Sequence, residues 1–158
     1  MAREIEGAAG FDLRDPSIYR HWSRVTIRFS DEDRMGHVNN AVYSVWLEAC
    51  RVEYLYSLFD PSDELDTVLA RIIVDFIRET HFPGEVDVGI LMTAIGSKSI
   101  TSGYGVFQNG ECLATAIAVN VFFDSRTRTS RSPPDSVRER VLAEIAAARA
   151  SGGADANG

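Results

Sequence analysis

The stretch Phe29-Ser30-Asp31-Glu32-Asp33-Arg34-Met35-Gly36-His37-Val38-Asn39-Asn40-Ala41-Val42-Tyr43 joins a strand pattern to a long apolar helix pattern, with Asp31 and Asp33 in the turn between them. Upstream, Val25, Ile27 and Phe29 alternate with Arg24, Thr26 and Arg28, the period of a strand with one buried face. Downstream, neither Gly nor Pro interrupts the chain from Ala41 to Asp60. Gly36 permits a tight turn, and Asn39 or Asn40 suits the cap of the helix. A helix N-terminus directs unpaired N–H groups and partial positive charge outward, so it can hold an oxyanion while a nearby carboxylate attacks or deprotonates water. The stretch reads as an active site for acyl chemistry.

The helix itself is unusual. Val42, Val45, Ala49, Val52, Tyr56 and Phe59 form a stripe, and Trp46, Leu47, Cys50, Tyr54, Leu55 and Leu58 carry the apolar character around most of the circumference. Only Glu48, Arg51 and Glu53 break it. A rod of about 18 residues, roughly 27 Å long, that is apolar on nearly every side predicts a curved enclosure. Four strand patterns follow: Val68–Thr80 with Val68, Ile72, Val74 and Phe76 on one face, then Val86–Ala94, Ile100–Val106 and Leu113–Phe123. Turns at His81–Gly84, Gly96-Ser97 and Asn109-Gly110 separate them, which predicts antiparallel neighbours. Pro133-Pro134-Asp135 opens a final helix with Val137, Val141, Leu142 and Ile145 as its stripe.

The motif Asp-x-Asp-x-x-Gly-His-Val-Asn-Asn-x-x-Tyr, followed by Trp46-Leu47-Glu48-Ala49-Cys50-Arg51, resembles the hotdog-fold acyl-CoA thioesterases of the 4-hydroxybenzoyl-CoA thioesterase type, a likeness running from about Arg24 to Pro134. The resemblance implies an α+β hotdog fold, a curved antiparallel sheet around a long central helix, here with an additional C-terminal helix. It also implies hydrolysis of an acyl-CoA thioester to free acid and CoA, and a homodimer or dimer of dimers whose sites borrow residues across the interface. The alternatives are a non-catalytic acyl-CoA-binding hotdog protein and a thioesterase acting on acyl carrier protein.

Length and composition fit this picture. The 158 residues suit one domain, and 45% apolar content suffices for one core. The organisation expected is a leader over residues 1–19, one hotdog domain over 20–150 and a flexible tail over 151–158. A net charge of -7 argues against nucleic acid as a partner. Cys50 and Cys112 lack metal-ligand spacing to other Cys or His and read as reduced core residues, so no metal and no cofactor is expected beyond the CoA of the substrate. No run approaches the roughly 20 apolar residues of a membrane span, and the N-terminus lacks a targeting pattern, so the expected location is cytoplasmic.

Among the candidate residues Asp33 comes first, as nucleophile on the thioester carbonyl or as general base for water. In relatives of this kind the second Asp of the pair is the one implicated, which leaves Asp31 to support the turn or an Arg such as Arg34. Gly36 and His37 complete the catalytic turn. Asn39 and Asn40 are capping residues, and Asn40 matches a position where some related thioesterases carry a His; an Asn there orients water or carbonyl rather than passing a proton. Tyr43 lines the acyl pocket or the core. Glu48 is a reserve carboxylate, or the partner of Arg51 in an i,i+3 ion pair. Lys98, Arg126 and Arg128 are cations available to the CoA phosphates, against the plainer reading of a solvated loop. A haloacid-dehalogenase phosphatase, which also begins with a strand and Asp-x-Asp, is excluded by the consecutive strands, and no Gly-x-Ser-x-Gly elbow is present.

Overall fold

The computed structural model describes residues 7–63 and 65–152. One curved antiparallel sheet has the strand order β1-β3-β4-β5-β2, with β1 at His21–Thr26, β2 at Thr67–Phe76, β3 at Glu85–Ile95, β4 at Ser99–Gln108 and β5 at Glu111–Asp124. A short β6, Thr129–Ser130, pairs with β5. Helix α1, Asn40–Leu58, is packed on the sheet, and α2, Asp135–Gly152, packs against β3 and the segment before β1. This is the hotdog architecture that the motif implied.

Alternation in the strands creates two apolar layers. Val86, Val88, Ile90 and Met92 of β3 and Ile100, Tyr104 and Val106 of β4 meet Trp46, Leu47, Cys50 and Tyr54 of α1. On β5 the small residues Ala114, Ala116 and Ala118 join this layer, which leaves room beneath the helix for its own large side chains. Ile117, between them, belongs to the second layer with Leu91, Phe107 and the N-terminal residues Ala8, Leu13, Ile18 and Tyr19. Residues 7–19 thus cover the outer face of the sheet. A Cβ at Gly89 would lie 2.5 Å from Tyr19 Cγ, so a glycine there admits the ring. Residues 1–6 of the expected leader and 153–158 of the expected tail lie outside the described residues, while Ser151 and Gly152 end α2.

Four expectations need correction. First, β1 stops at Thr26, and Phe29 is exposed, stacked edge-on against Phe82 at 5.7 Å. The Asp31 carboxylate accepts the Arg28 N–H at 2.8 Å and turns the chain before Phe29 can continue the strand. Second, β2 and β3 are not neighbours. The chain from 77 to 84 crosses the end of the sheet, tied by Ile77 N–H to Leu113 O at 2.8 Å and by Thr80 Oγ1 to Gln108 Oε1 at 3.0 Å. Third, α1 is not wrapped on all sides: Val45, Val52 and Tyr56 are 56, 42 and 71% exposed, spaced as one helical face. Fourth, Leu142 of α2 is half exposed, and Ala148 takes the inward place beside Val137, Val141 and Ile145.

Candidate active site

The turn carrying Asp33 hangs from the crossing segment. Ile27 N–H donates to Gly84 O at 2.9 Å, Val38 N–H to Thr80 O at 2.8 Å, and His81 Nδ1 lies 2.6 Å from Gly36 O, a separation that requires the proton on that nitrogen. Within the turn Asp33 N–H donates to His37 O at 3.0 Å and Gly36 N–H to Asp33 O at 3.1 Å, with Gly36 at φ 81°. Asp31 anchors this small hairpin. Its carboxylate is buried, receives the Arg28 backbone N–H and guanidinium, and its carbonyl receives Asn39 N–H at 2.9 Å. The partner of Asp31 is therefore Arg28 rather than Arg34, because the three-residue turn brings Arg28 back over it.

Asp33 is left free for other work. One carboxylate oxygen accepts Met35 N–H at 2.8 Å and the other lies 4.0 Å from His37 Nδ1, both side chains being partly exposed. Asn39, not Asn40, caps α1: its Oδ1 accepts Ala41 N–H at 2.9 Å, and its carbonyl receives Val42 N–H at 3.0 Å. Asn40 opens the first turn and is exposed. Tyr43, one turn in, is buried between Trp46 at 5.0 Å and Phe76 at 5.1 Å, and burial pushes its hydroxyl pKa up. Asp33, Gly36, His37, Asn39, Asn40 and the Tyr43 backbone thus share one end of the molecule.

The other candidates lie elsewhere in the chain. Glu48 is about 12 Å along α1 from its first residue, exposed, and 3.9 Å from Arg51. Lys98 sits in the β3–β4 turn, with Nζ 3.5 Å from Ser130 Oγ, and Arg126 and Arg128 follow β5. All three occupy the sheet end opposite Asp33, because the Asp33 turn is held at the beginning of β3 and the end of β4. A single chain therefore does not bring the cations to Asp33.

Between the C-terminal half of α1 and the start of β2 runs a cleft of about 400 Å³ lined in part by Glu48, Arg51, Tyr56, Leu69 and Asn120. Sequence reasoning does not single out this cleft: Arg51 reads there as one half of an ion pair with Glu48, and Asn120 is not singled out at all. Among the described residues no group of three or more His, Cys, Asp or Glu is placed to hold a metal, and no helix is long and apolar enough to cross a membrane. Burial pushes the Cys50 thiol up to about 11, so it is not a nucleophile at neutral pH.

With fold and turn in view, the class is defined: residues 27–141 match the thioesterase-like superfamily, and the chain belongs to it. Its sequence is 28% identical over 127 residues to the uncharacterized protein YsmA of Bacillus subtilis strain 168, covering 78% of this chain and 86% of that one. Among solved structures it is similar to a thioesterase from Thermus thermophilus complexed with coenzyme A and Zn, at 32% identity and TM-score 0.73 over 81% of this chain and 96% of that chain. A predicted thioesterase from Bacillus stearothermophilus is similar at 30% identity and TM-score 0.72, over 79% and 96% of the two chains.

Proposed function

We propose that the protein hydrolyses an acyl-CoA thioester, with Asp33 as nucleophile or general base. The observation that carries this is the placement of the Asp33 carboxylate: one oxygen fixed by Met35 N–H at 2.8 Å, the other 4.0 Å from His37 Nδ1, in the turn that leads into the N-terminus of α1. The thioester carbonyl would sit before α1, where the Asn40 backbone N–H and the helix dipole offset the developing oxyanion, since the Asn39 side chain already takes the N–H of Ala41. Thiolate is a good leaving group, so one positioned carboxylate and one oxyanion site suffice chemically. Superfamily membership and the thioesterases among its structural neighbours support the reaction class.

A homodimer completes this site. β2 ends the sheet, pairs on one side with β5, and exposes Val68, Leu69 and Phe76, each more than 40%, beside the bare Val45, Val52 and Tyr56 face of α1. Antiparallel pairing of β2 with its copy about a two-fold axis covers both surfaces at once. It also sets the end of one β2, where Asp33 is tethered, against the start of the partner strand, where the cleft, Lys98, Arg126 and Arg128 lie. Cations remote from Asp33 within one chain then approach it across the interface, as the CoA phosphates require.

The test is a panel of acyl-CoA thioesters assayed with wild type and Asp33→Asn. Thioester cleavage by wild type that disappears in the variant supports the reading. Binding without hydrolysis by wild type would make the protein an acyl-CoA sensor.

A further inference from the structure

The cleft beneath the second half of α1 holds two buried polar groups whose needs are unmet. Asn120, on the α1 face of β5, is 3% exposed, and its Oδ1 has no hydrogen-bond partner among the described residues. Arg51 is 8% exposed; its guanidinium donates to Tyr104 Oη over a long 3.4 Å and lies 3.9 Å from the largely solvated Glu48 carboxylate. A buried acceptor without a donor and a buried cation with a loose partner both destabilise the fold, and both line the same cavity. Both residues border the cleft, and between them they offer a ligand one donor and one acceptor.

The cavity's charge narrows the ligand. Glu48, Asp60 and Asp66 also line it, so three carboxylates stand against one guanidinium and disfavour a second anionic end on the acyl group. An ammonium would face Arg51 at close range. A plain hydrocarbon would leave Asn120 Oδ1 without a donor. A hydroxyl is both acceptor and donor, so it suits the Arg51 guanidinium and Asn120 Oδ1 alike without adding charge.

We propose that this cleft is the acyl-recognition end of the site and that Arg51 and Asn120 select an acyl group carrying a neutral hydroxyl. The inference rests on the thioesterase reading and on the β2-paired dimer, which turns the cleft of one copy toward Asp33 of the other.

The test compares hexanoyl-CoA, its 6-hydroxy derivative and adipoyl-CoA, three esters of equal carbon number. kcat/KM is measured for wild type, Asn120→Leu and Arg51→Met, and calorimetric binding of the same esters is measured on Asp33→Asn. The hydroxylated ester is expected to be preferred over hexanoyl on the order of 10- to 100-fold, with adipoyl poorest, and each cleft variant is expected to bring the hydroxyl preference close to parity. Using two variants keeps the test informative where one fails to fold. Equal binding of the hydroxylated and plain esters, a preference that survives both substitutions, or a preference for adipoyl overturns the inference. A hydroxyl preference in binding without hydrolysis by wild type would overturn the catalytic reading and leave this one standing. Absence of binding by all three esters overturns both.

Discussion

Asp31 and Asp33, two residues apart, carry their carboxylates into opposite surroundings: Asp31 is 1% exposed and held by the Arg28 backbone and guanidinium, whereas the Asp33 side chain is 27% exposed with His37 Nδ1 4.0 Å away. The turn uses one carboxylate to fix the chain and presents the other. This division separates the effects of replacing them.

Replacing Asp31 acts on stability. The change Asp31→Ala removes the acceptor for Arg28 N–H and guanidinium, and the cation left behind is solvated, so the loss is that of the hydrogen bonds rather than of a buried lone charge. Destabilisation of about 2–3 kcal/mol is expected, read from urea denaturation, together with loss of activity because the turn loses its anchor.

Replacing Asn39 tests the cap. Asn39→Ala frees the Ala41 N–H and should cost about 1 kcal/mol in stability, measured by thermal or urea unfolding. Asn39→Asp keeps the acceptor and should hold stability near that of wild type.

Acid should loosen the joint between α1 and β1. The Ser23 hydroxyl and then His21, donating to Glu53, hold that carboxyl below its usual range. A folded pKa below the unfolded one means that the contribution is present above the ordinary Glu value of about 4.3 and is lost as pH falls through the folded value. Glu53 is well exposed, so solvent screening keeps the effect modest. Unfolding free energies of wild type and Ser23→Ala should differ at pH 6 and converge toward pH 3.

The dimer is tested at its seam. Wild type should sediment at about twice its 17.4 kDa chain mass, and Leu69→Glu, which places a charge on an edge strand already nearly half exposed, should shift the population to monomer. Activity should fall with the dimer fraction. A fully active monomer would remove the reason for the composite site.

Much of this was legible in the sequence because the alternation of β3 and β4 and the uninterrupted apolar run of α1 leave few alternatives, and because the Asp33-to-Tyr43 motif is long. What escaped has physical reasons. Phe29 keeps the strand's parity, but the Asp31 turn, closed by a carboxylate, overrides it. Ala8, Leu13, Ile18 and Tyr19 follow no regular period since they cover the sheet from an irregular segment. In β5 the bulky alternates Ile117, Val119 and Val121 draw the eye, yet the side toward α1 is carried by alanines and by Asn120, which borders a cavity that no local pattern encodes. The candidate cations come from two separate loops, and the fold places both at the far end of the sheet from Asp33, a relation that sequence spacing does not encode.

The most direct measurement is kcat for the best acyl-CoA ester in Asp33→Asn beside its equilibrium binding to the same variant. Asn keeps an acceptor for Met35 N–H, so the turn is preserved while the charge is lost. The account predicts a fall in kcat on the order of 10²- to 10⁴-fold with binding and melting temperature little changed. Hydrolysis at the wild-type rate by that variant would contradict it.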